Sequence, residues 1–361
     1  MSASGKGGMA VENGLAEAVE RYAASVVPSS LPIARQNELD GPFVAPLELY
    51  GFRREQATIL GYSCGEQPIS WTIASSVGPN ARSVYVPASA VYTRLPDGPY
   101  IKLAGPFTTN GLACAPTLEL AVGAGFSEVI ERDMFFRVWY GQHPAIGIRA
   151  ESVADSDTRA AIDEFGACRL KVNLLYLGVK CGIHVVAACC SDRSGATQRP
   201  AFVLGLGRDL VPSRALASAV LEMGQVYRGL TWALRDPSVG ARAEQICLNP
   251  TLVHDPLDHA LFYAWRRDLS PPDSLLPAKT RELSEFKTRP TTGAASVAMP
   301  SAVFVELTPP DVAQVSSWRV ARVIVPRTIP YHVGPNQIPL EMLKLSSISE
   351  LPEKMWVHPL C

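Results

Sequence analysis

Most of the short signatures that would announce a chemistry are missing from this 361-residue chain, and each absence removes a class of function. Its eight cysteines, at 64, 114, 168, 181, 189, 190, 247 and 361, show no C-x-x-C spacing and no regular framework, so neither a zinc ribbon nor a disulfide scaffold has support. Six histidines (143, 184, 254, 259, 332 and 358) likewise lack ligand spacing. The GKGG at 5–8 has neither the upstream glycine nor the Ser/Thr of a P-loop. Gly205-x-Gly207 alone is too short for a dinucleotide fingerprint. G-x-S-x-G and H-E-x-x-H do not occur. A net charge of -1 and the lack of any Lys/Arg run argue against nucleic acid or an anionic membrane as partner. The start, MSASGKGGMAVENG, has no apolar signal region, and no apolar run approaches the ~20 residues of a membrane span, so the expected compartment is the cytoplasm.

What the chain does have is apolar content, 47% of its residues, enough for one large core or two smaller ones. Residues 10–26, 117–139 and 212–234 carry helical periodicity. Short β-rich runs fall at 69–74, 83–87, 172–178, 183–190 and 201–207, with two more at 302–307 and 318–326. Mixed in this order, they predict an α/β or α+β fold with a mixed sheet. The run IHVVAACC places Cys189 and Cys190 in a core and makes His184 a hydrogen-bonded core residue. The polar, Pro-rich stretch 270–293 reads as an exposed loop.

Two near-identical pentads lie more than a hundred residues apart: Glu17-Ala18-Val19-Glu20-Arg21 and Glu128-Val129-Ile130-Glu131-Arg132. On a helix, positions three and four apart share a face, so each pentad projects two carboxylates and a guanidinium from one stripe. A Glu–Arg pair at this spacing is ordinarily a solvated surface pair worth only ~0.2–0.5 kcal/mol. Here the flanks, GLAEAVERYAASVV and VGAGFSEVIERDMFF, are nearly all apolar. Carboxylates on such helices are expected to be partly buried, and buried charge persists when it is paired or bound to metal. Four carboxylates from two helices would suit a hard divalent cation such as Mg2+, in company with nucleotide phosphates. A third helix repeats the spacing as Glu222-Met-Gly-Gln225, with Arg228 three residues on; solvated polar residues are the plainer reading of that pair.

Taken together these landmarks resemble the YcaO family of ATP-dependent enzymes that activate peptide-backbone amides. TTNGLACAPTLELAVGAGFSEVIERDMFFRVWY (108–140) looks like the family's Thr-Ser-Asn-Gly-x-Ala block and its E-x-x-E-R-D helix. GKGGMAVENGLAEAVERY (5–22), SRALASAVLEMGQ (213–225), DPLDHALFYA (255–264) and RVIVPRTIPYHVG (322–334) are similar to further family segments. The resemblance implies one domain over 1–361, built from mixed sheets packed with helices, with the nucleotide site between helices that carry E-x-x-E-R. It implies ATP and Mg2+ as cofactors: Glu17, Glu20, Glu128 and Glu131 at the metal, and Arg21, Asn110, Arg132, Glu222 and Gln225 at the nucleotide. No residue is assigned as catalytic, because phosphoryl transfer asks mainly for positioning and charge cancellation.

The implied reaction is O-phosphorylation of a peptide amide, with cyclodehydration of Cys, Ser or Thr to an azoline in the maturation of a ribosomally made, bacteriocin-like peptide. Sulfide as nucleophile would give a thioamide instead. Three positions depart from the family pattern: Asn13 for Ser, Leu120 for Glu and Ser218 for Arg. The chain also begins at the GKG block, short of the usual N-terminal segment. These departures define the alternative, a catalytically impaired scaffold subunit. The expected partners are a precursor peptide, a separate leader-binding protein, and a second copy in a homodimer.

Overall fold

The computed structural model describes residues 8–78, 80–95, 103–192, 194, 196, 199–266, 273–287 and 301–360, with the side chains of 8–11, 13 and 273 left aside. The residues Gly5–Gly7 of the GKG block and the side chain of Asn13 therefore lie outside the described part. The helices are α1 (Gly8–Ser25), α2 (Pro46–Tyr50), α3 (Arg54–Ile59), α4 (Leu118–Trp139), α5 (Ser156–Ala167), α6 (Pro212–Ala233), α7 (Pro237–Leu248), α8 (Pro256–Trp265), α9 (Pro310–Val315) and α10 (Leu340–Leu343). The strands are β1 (Ile33–Ala34), β2 (Ile69–Ser76), β3 (Ser83–Pro87), β4 (Leu112–Ala115), β5 (Ile146–Ile148), β6 (Lys171–Lys180), β7 (Ile183–Ser191), β8 (Phe202–Asp209), β9 (Thr280–Arg281), β10 (Val303–Glu306) and β11 (Arg319–Ile324). Every helix and strand expected above forms. The chain divides into two compact units: residues 1–133, 299–332 and 339–346, and residues 134–298, 333–338 and 347–361.

The first unit is built on an antiparallel sheet in the order β1-β2-β10-β11-β4, with β3 also paired to β2. Its core gathers Ile69, Trp71, Val86, Val320 and Ile324, with Ala23 and Ala24 of α1 packed among them. Helix α4 begins where Thr117 accepts the Leu120 N–H through Oγ1, at 3.3 Å, so one of the free donors of the first turn is satisfied. The turn just before β4 needs glycine. Gly111 has φ +83, and a Cβ there would stand 2.3 Å from the Val323 carbonyl oxygen. Gly125 completes the fit, since its own Cβ would meet the Gly111 oxygen at 2.5 Å. Helix α4 thus lies against the Asn110–Gly111 turn, and Glu128 follows one turn later on the same face.

The second unit carries the sheet β8-β7-β6-β5-β9, antiparallel except for the parallel pair β5–β9. Strands β6 and β7 are joined at Cys181 and Gly182, both with positive φ (53° and 81°), the two-residue turn that matches strand twist. Gly205 and Gly207 have a packing role. A Cβ at either would collide with the α6 backbone, 2.2 Å from the Met223 nitrogen or 2.0 Å from the Ala215 oxygen, so their absence lets α6 lie flat on β8. As expected, Cys189 and Cys190 are core residues and His184 is buried, with Nδ1 2.7 Å from the Tyr176 hydroxyl.

The described part of the stretch 270–293 is mostly exposed but is anchored at three points. That part, 273–287, holds the edge strand β9 and buries Leu275, Leu283 and Phe286, the last stacked on Tyr176 at 4.1 Å. Polar and proline residues dominate its composition, but three spaced apolar side chains suffice to tie it down. The remainder of that stretch lies outside the described residues.

Candidate functional site

The two pentads fall where the sequence places them, on α1 and α4, but in unlike surroundings. Glu17 and Arg21 make an exposed i,i+4 pair at 3.5 Å. Glu20 turns inward: its carboxylate accepts the Cys114 backbone N–H at 2.8 Å, which ties α1 to β4. On α4, Glu131 is 2% exposed, while the Arg132 guanidinium lies 5.6 Å from the centre of the Tyr331 ring. Asp133, the residue after the second pentad, is fully buried and accepts the Ile329 N–H at 2.8 Å, which pins the segment that follows β11.

Glu17, Glu20 and Glu128 are electrostatic neighbours. Burial drives the Glu20 carboxyl up from its ordinary 4.5 to about 7; the Cys114 N–H opposes this, and the charges of Glu128 and Glu17 add to it. Glu20 is therefore partly protonated at neutral pH. Across from Glu128 stands Arg322, on the core side of β11 between Val320 and Ile324. Its guanidinium is 2% exposed, and its Nε–H donates to the Ala90 carbonyl at 2.9 Å. Burial lowers its pKa to about 10, against the sustaining charge of Glu128. No ion pair to Arg322 exists among the described residues.

Among the described residues no group of three or more His, Cys, Asp or Glu side chains is gathered tightly enough to hold a metal ion. The four pentad carboxylates are thus not gathered at one point among the described residues. That arrangement suits Mg2+, which keeps several waters and is held by one or two carboxylates together with substrate phosphates. The donors fit such an ion: hard oxygens from Glu17, Glu20 and Glu128, with a buried cation nearby for phosphate. Asn110 lies at the turn before β4, its backbone N–H on Thr108 Oγ1 at 3.1 Å and its side-chain Oδ1 buried without a hydrogen bond among the described residues. Glu222 and Gln225 stand half-buried on α6 in the second unit. Leu120 is 57% exposed, about two helical turns before Glu128.

Arg322 and Asp133 escaped the sequence reading. Arg322 is a lone charge in an apolar run, VARVIV, and Asp133 is the last of three consecutive charges before the apolar MFF; a charge that interrupts or borders a core element is the signal that could have marked them.

Residues 6–329 match the family model described as YcaO cyclodehydratase, ATP- and Mg2+-binding. A heterocyclase in complex with substrate and cofactor superposes with a TM-score of 0.71 at 21% identity, covering 98% of this chain and 48% of its own. YcaO from Methanopyrus kandleri bound with AMPPCP and Mg2+ gives 0.59 at 22% identity, over 89% of this chain and 76% of that one. The E. coli microcin synthetase McbBCD complex with pro-MccB17 bound gives 0.60 at 13%, over 90% and 81%. The chain spans about half the length of the first of these. The mixed α/β architecture with two sheets is the one these proteins share, and ATP and Mg2+ are the cofactors of the family whose model is matched. With that match covering most of its length, the chain belongs to the YcaO family.

Proposed function

We propose that the protein activates peptide-backbone amides with ATP and Mg2+ and so drives cyclodehydration of Cys, Ser or Thr side chains to azolines. The observation that carries this reading is the inward-facing group on α1, α4 and β11: Glu20, with its carboxyl pushed up to about 7 beside Glu17 and Glu128, opposite the buried Arg322. Mg2+ would supply charge neutralisation along the polyphosphate.

The chain's own residues divide the work. Glu20 and Glu128 would hold the cation through their carboxylate oxygens, Glu20 in its ionised form. Glu17 lies at the solvent side, where its pairing with Arg21 is loose enough to rearrange. Glu131 and Arg132 hold the α4 end of the site through burial and the contact with Tyr331. In the reaction the amide oxygen takes the terminal phosphoryl group and ADP leaves. The thiol or hydroxyl of the peptide then gives up its proton as it bonds to the former carbonyl carbon, phosphate departs with the amide oxygen, and loss of the amide proton leaves the C=N bond of the azoline. Glu222 and Gln225 on α6 are proposed as further nucleotide contacts. The peptide is proposed to be a ribosomally made precursor delivered by a separate leader-binding protein.

Calorimetric titration of Mg2+–ATP into the wild type and into Glu128→Ala/Glu131→Ala tests the reading. Micromolar binding that the double variant loses supports it. No binding in either protein would leave a scaffold role in its place.

A further inference from the structure

We propose that the cavity between α5 and α6 in the second unit binds a small apolar zwitterion of dipeptide size, with free amino and carboxyl ends. The site does not rest on the ATP-dependent reading, since Glu222 and Gln225, the α6 residues assigned to the nucleotide, do not line it. It measures about 450 Å3, a volume in the range of small-molecule sites.

The walls are apolar and set in place. Phe165 of α5 and Tyr227 of α6 meet edge to face, with ring centres 5.6 Å apart and planes at 89°, and buried Leu170 joins them in the lining. The Tyr227 hydroxyl accepts the Nε–H of Arg199 at 3.1 Å, and Arg199 Nη2 donates to the Cys168 carbonyl at 2.9 Å. Asp192, whose side chain is 1% exposed, pairs with the same guanidinium at 3.1 Å. Arg199 therefore ties the end of α5 to α6 and has its charge balanced within the protein. A wall fixed before a ligand arrives loses less freedom on binding.

The other two charges of the lining are not balanced. Glu164 on α5 and Arg228 on α6 face the same cavity from the two helices, and both are exposed. Neither makes an ion pair, with the other or with any third group, among the described residues. Opposite charges on packed helices ordinarily close into a surface pair. Here the cavity holds them apart, one anion and one cation beside an aromatic wall. That pattern is complementary to a ligand with an ammonium, a carboxylate and an apolar body. The separation then chooses among such ligands. A free amino acid carries both charges on one carbon and satisfies one partner at a time. The ends of a dipeptide lie up to ~7 Å apart, so it can reach two groups too distant to pair directly, while its side chains rest on Phe165, Leu170 and Tyr227.

Calorimetric titration of phenylalanyl-leucine, its N-acetyl form and its C-terminal amide provides the test, because the three share one apolar body and differ only at their ends. The wild type should bind the free dipeptide about tenfold more tightly than either blocked form, and more tightly than free phenylalanine. Glu164→Gln should lose the preference over the N-acetyl form and keep the preference over the amide. Arg228→Gln should do the reverse. Cys168→Trp, which sets an indole into the cavity from the end of α5, should lose binding of all three.

Equal affinities for the three compounds, or no binding of any at millimolar concentration, overturns the site. Charge variants that weaken all three compounds alike overturn it as well, since that is what a merely structural role would do. Binding that survives Cys168→Trp places the ligand elsewhere and has the same consequence. Glu164, Cys168 and Arg228 are exposed, so these substitutions leave the core untouched. Should Cys168→Trp fail to fold, Thr231→Phe closes the same cavity from α6. None of these comparisons involves Mg2+–ATP, so they can be read whether or not the ATP-dependent function stands.

Discussion

The pentads on α1 and α4 are nearly the same five letters, yet the structure puts them to different uses. On α1, Glu17 and Arg21 face solvent and hold each other at 3.5 Å, and only Glu20 is drawn inside. On α4, Glu131 is 2% exposed and Arg132 packs against Tyr331. The residue that follows each pentad repeats the contrast. Tyr22 is 45% exposed and donates its hydroxyl to Asp311 at 2.8 Å, whereas Asp133 is fully buried and fixes the backbone at Ile329. A local pattern therefore sets which side chains share a stripe, while what packs over that stripe decides whether the charges stabilise a surface or form a site.

The sharpest way to break the comparison is at its last position. Asp133→Ala should cost about 1–3 kcal/mol in a denaturant titration, because a buried N–H loses its acceptor. Tyr22→Phe should cost less than about 1 kcal/mol, as an exposed hydrogen bond exchanged for water. Equal costs would mean that the α1 end of the pair is as deeply anchored as the α4 end.

Glu20 is where the α1 pentad behaves like its counterpart. Its carboxyl is raised from 4.5 to about 7, so the folded state holds its proton more tightly than the unfolded chain does. The stability this contributes is complete below about pH 4.5 and is lost as the pH rises through about 7. Glu20→Gln keeps an oxygen for the Cys114 N–H and removes the charge. It should flatten the pH dependence between those limits and, at pH 8 without Mg2+, stabilise the protein by on the order of 2–3 kcal/mol relative to wild type. Mg2+ should narrow that difference by stabilising the ionised wild type alone. A variant whose stability follows the wild-type pH profile would show that Glu20 does not carry the shift.

How α4 is held can be sharpened at Gly125. Alanine there would place a methyl 2.5 Å from the Gly111 oxygen, so the helix must retreat from the β4 turn. An overpacking cost of about 1–2 kcal/mol is expected, together with weaker Mg2+–ATP binding, since Glu128 moves with the helix. Gly123, whose added methyl would meet nothing within 4 Å, is the control. The same substitution there should leave binding intact.

Much of the framework was legible because hydrophobic periodicity reports on one element at a time. The helices around both pentads and the strands at 69, 83, 172, 183, 202, 303 and 319 all announce themselves by it. Strands β1, β4, β5 and β9 did not: with two to four residues each they are too short for a period, and they exist because a neighbour supplies their hydrogen bonds. The acidic residues were legible as a pattern, but which of them turn inward was not, because burial and orientation come from packing that a pentad does not encode. Arg322 was hidden for the opposite reason. It stands about two hundred residues from Glu128 in sequence, and only the pairing of β11 with β4 brings it to the same place.

The smallest effects should separate the two arginines. Arg21 is 56% exposed, and its contact with Glu17 is a long, single one, so Arg21→Ala should change stability by no more than about 0.5 kcal/mol, and that change should vanish in high salt. Arg132 is less exposed and lies over the Tyr331 ring, where a desolvated guanidinium gains about 1 kcal/mol or more that salt screens poorly. Arg132→Ala should therefore lower the melting temperature in both low and high salt, and Tyr331→Leu should reproduce part of the loss. If both arginine variants responded to salt alike, the burial of the second pentad would not be what distinguishes it, and the contrast between the two helices would have to be sought in their carboxylates alone.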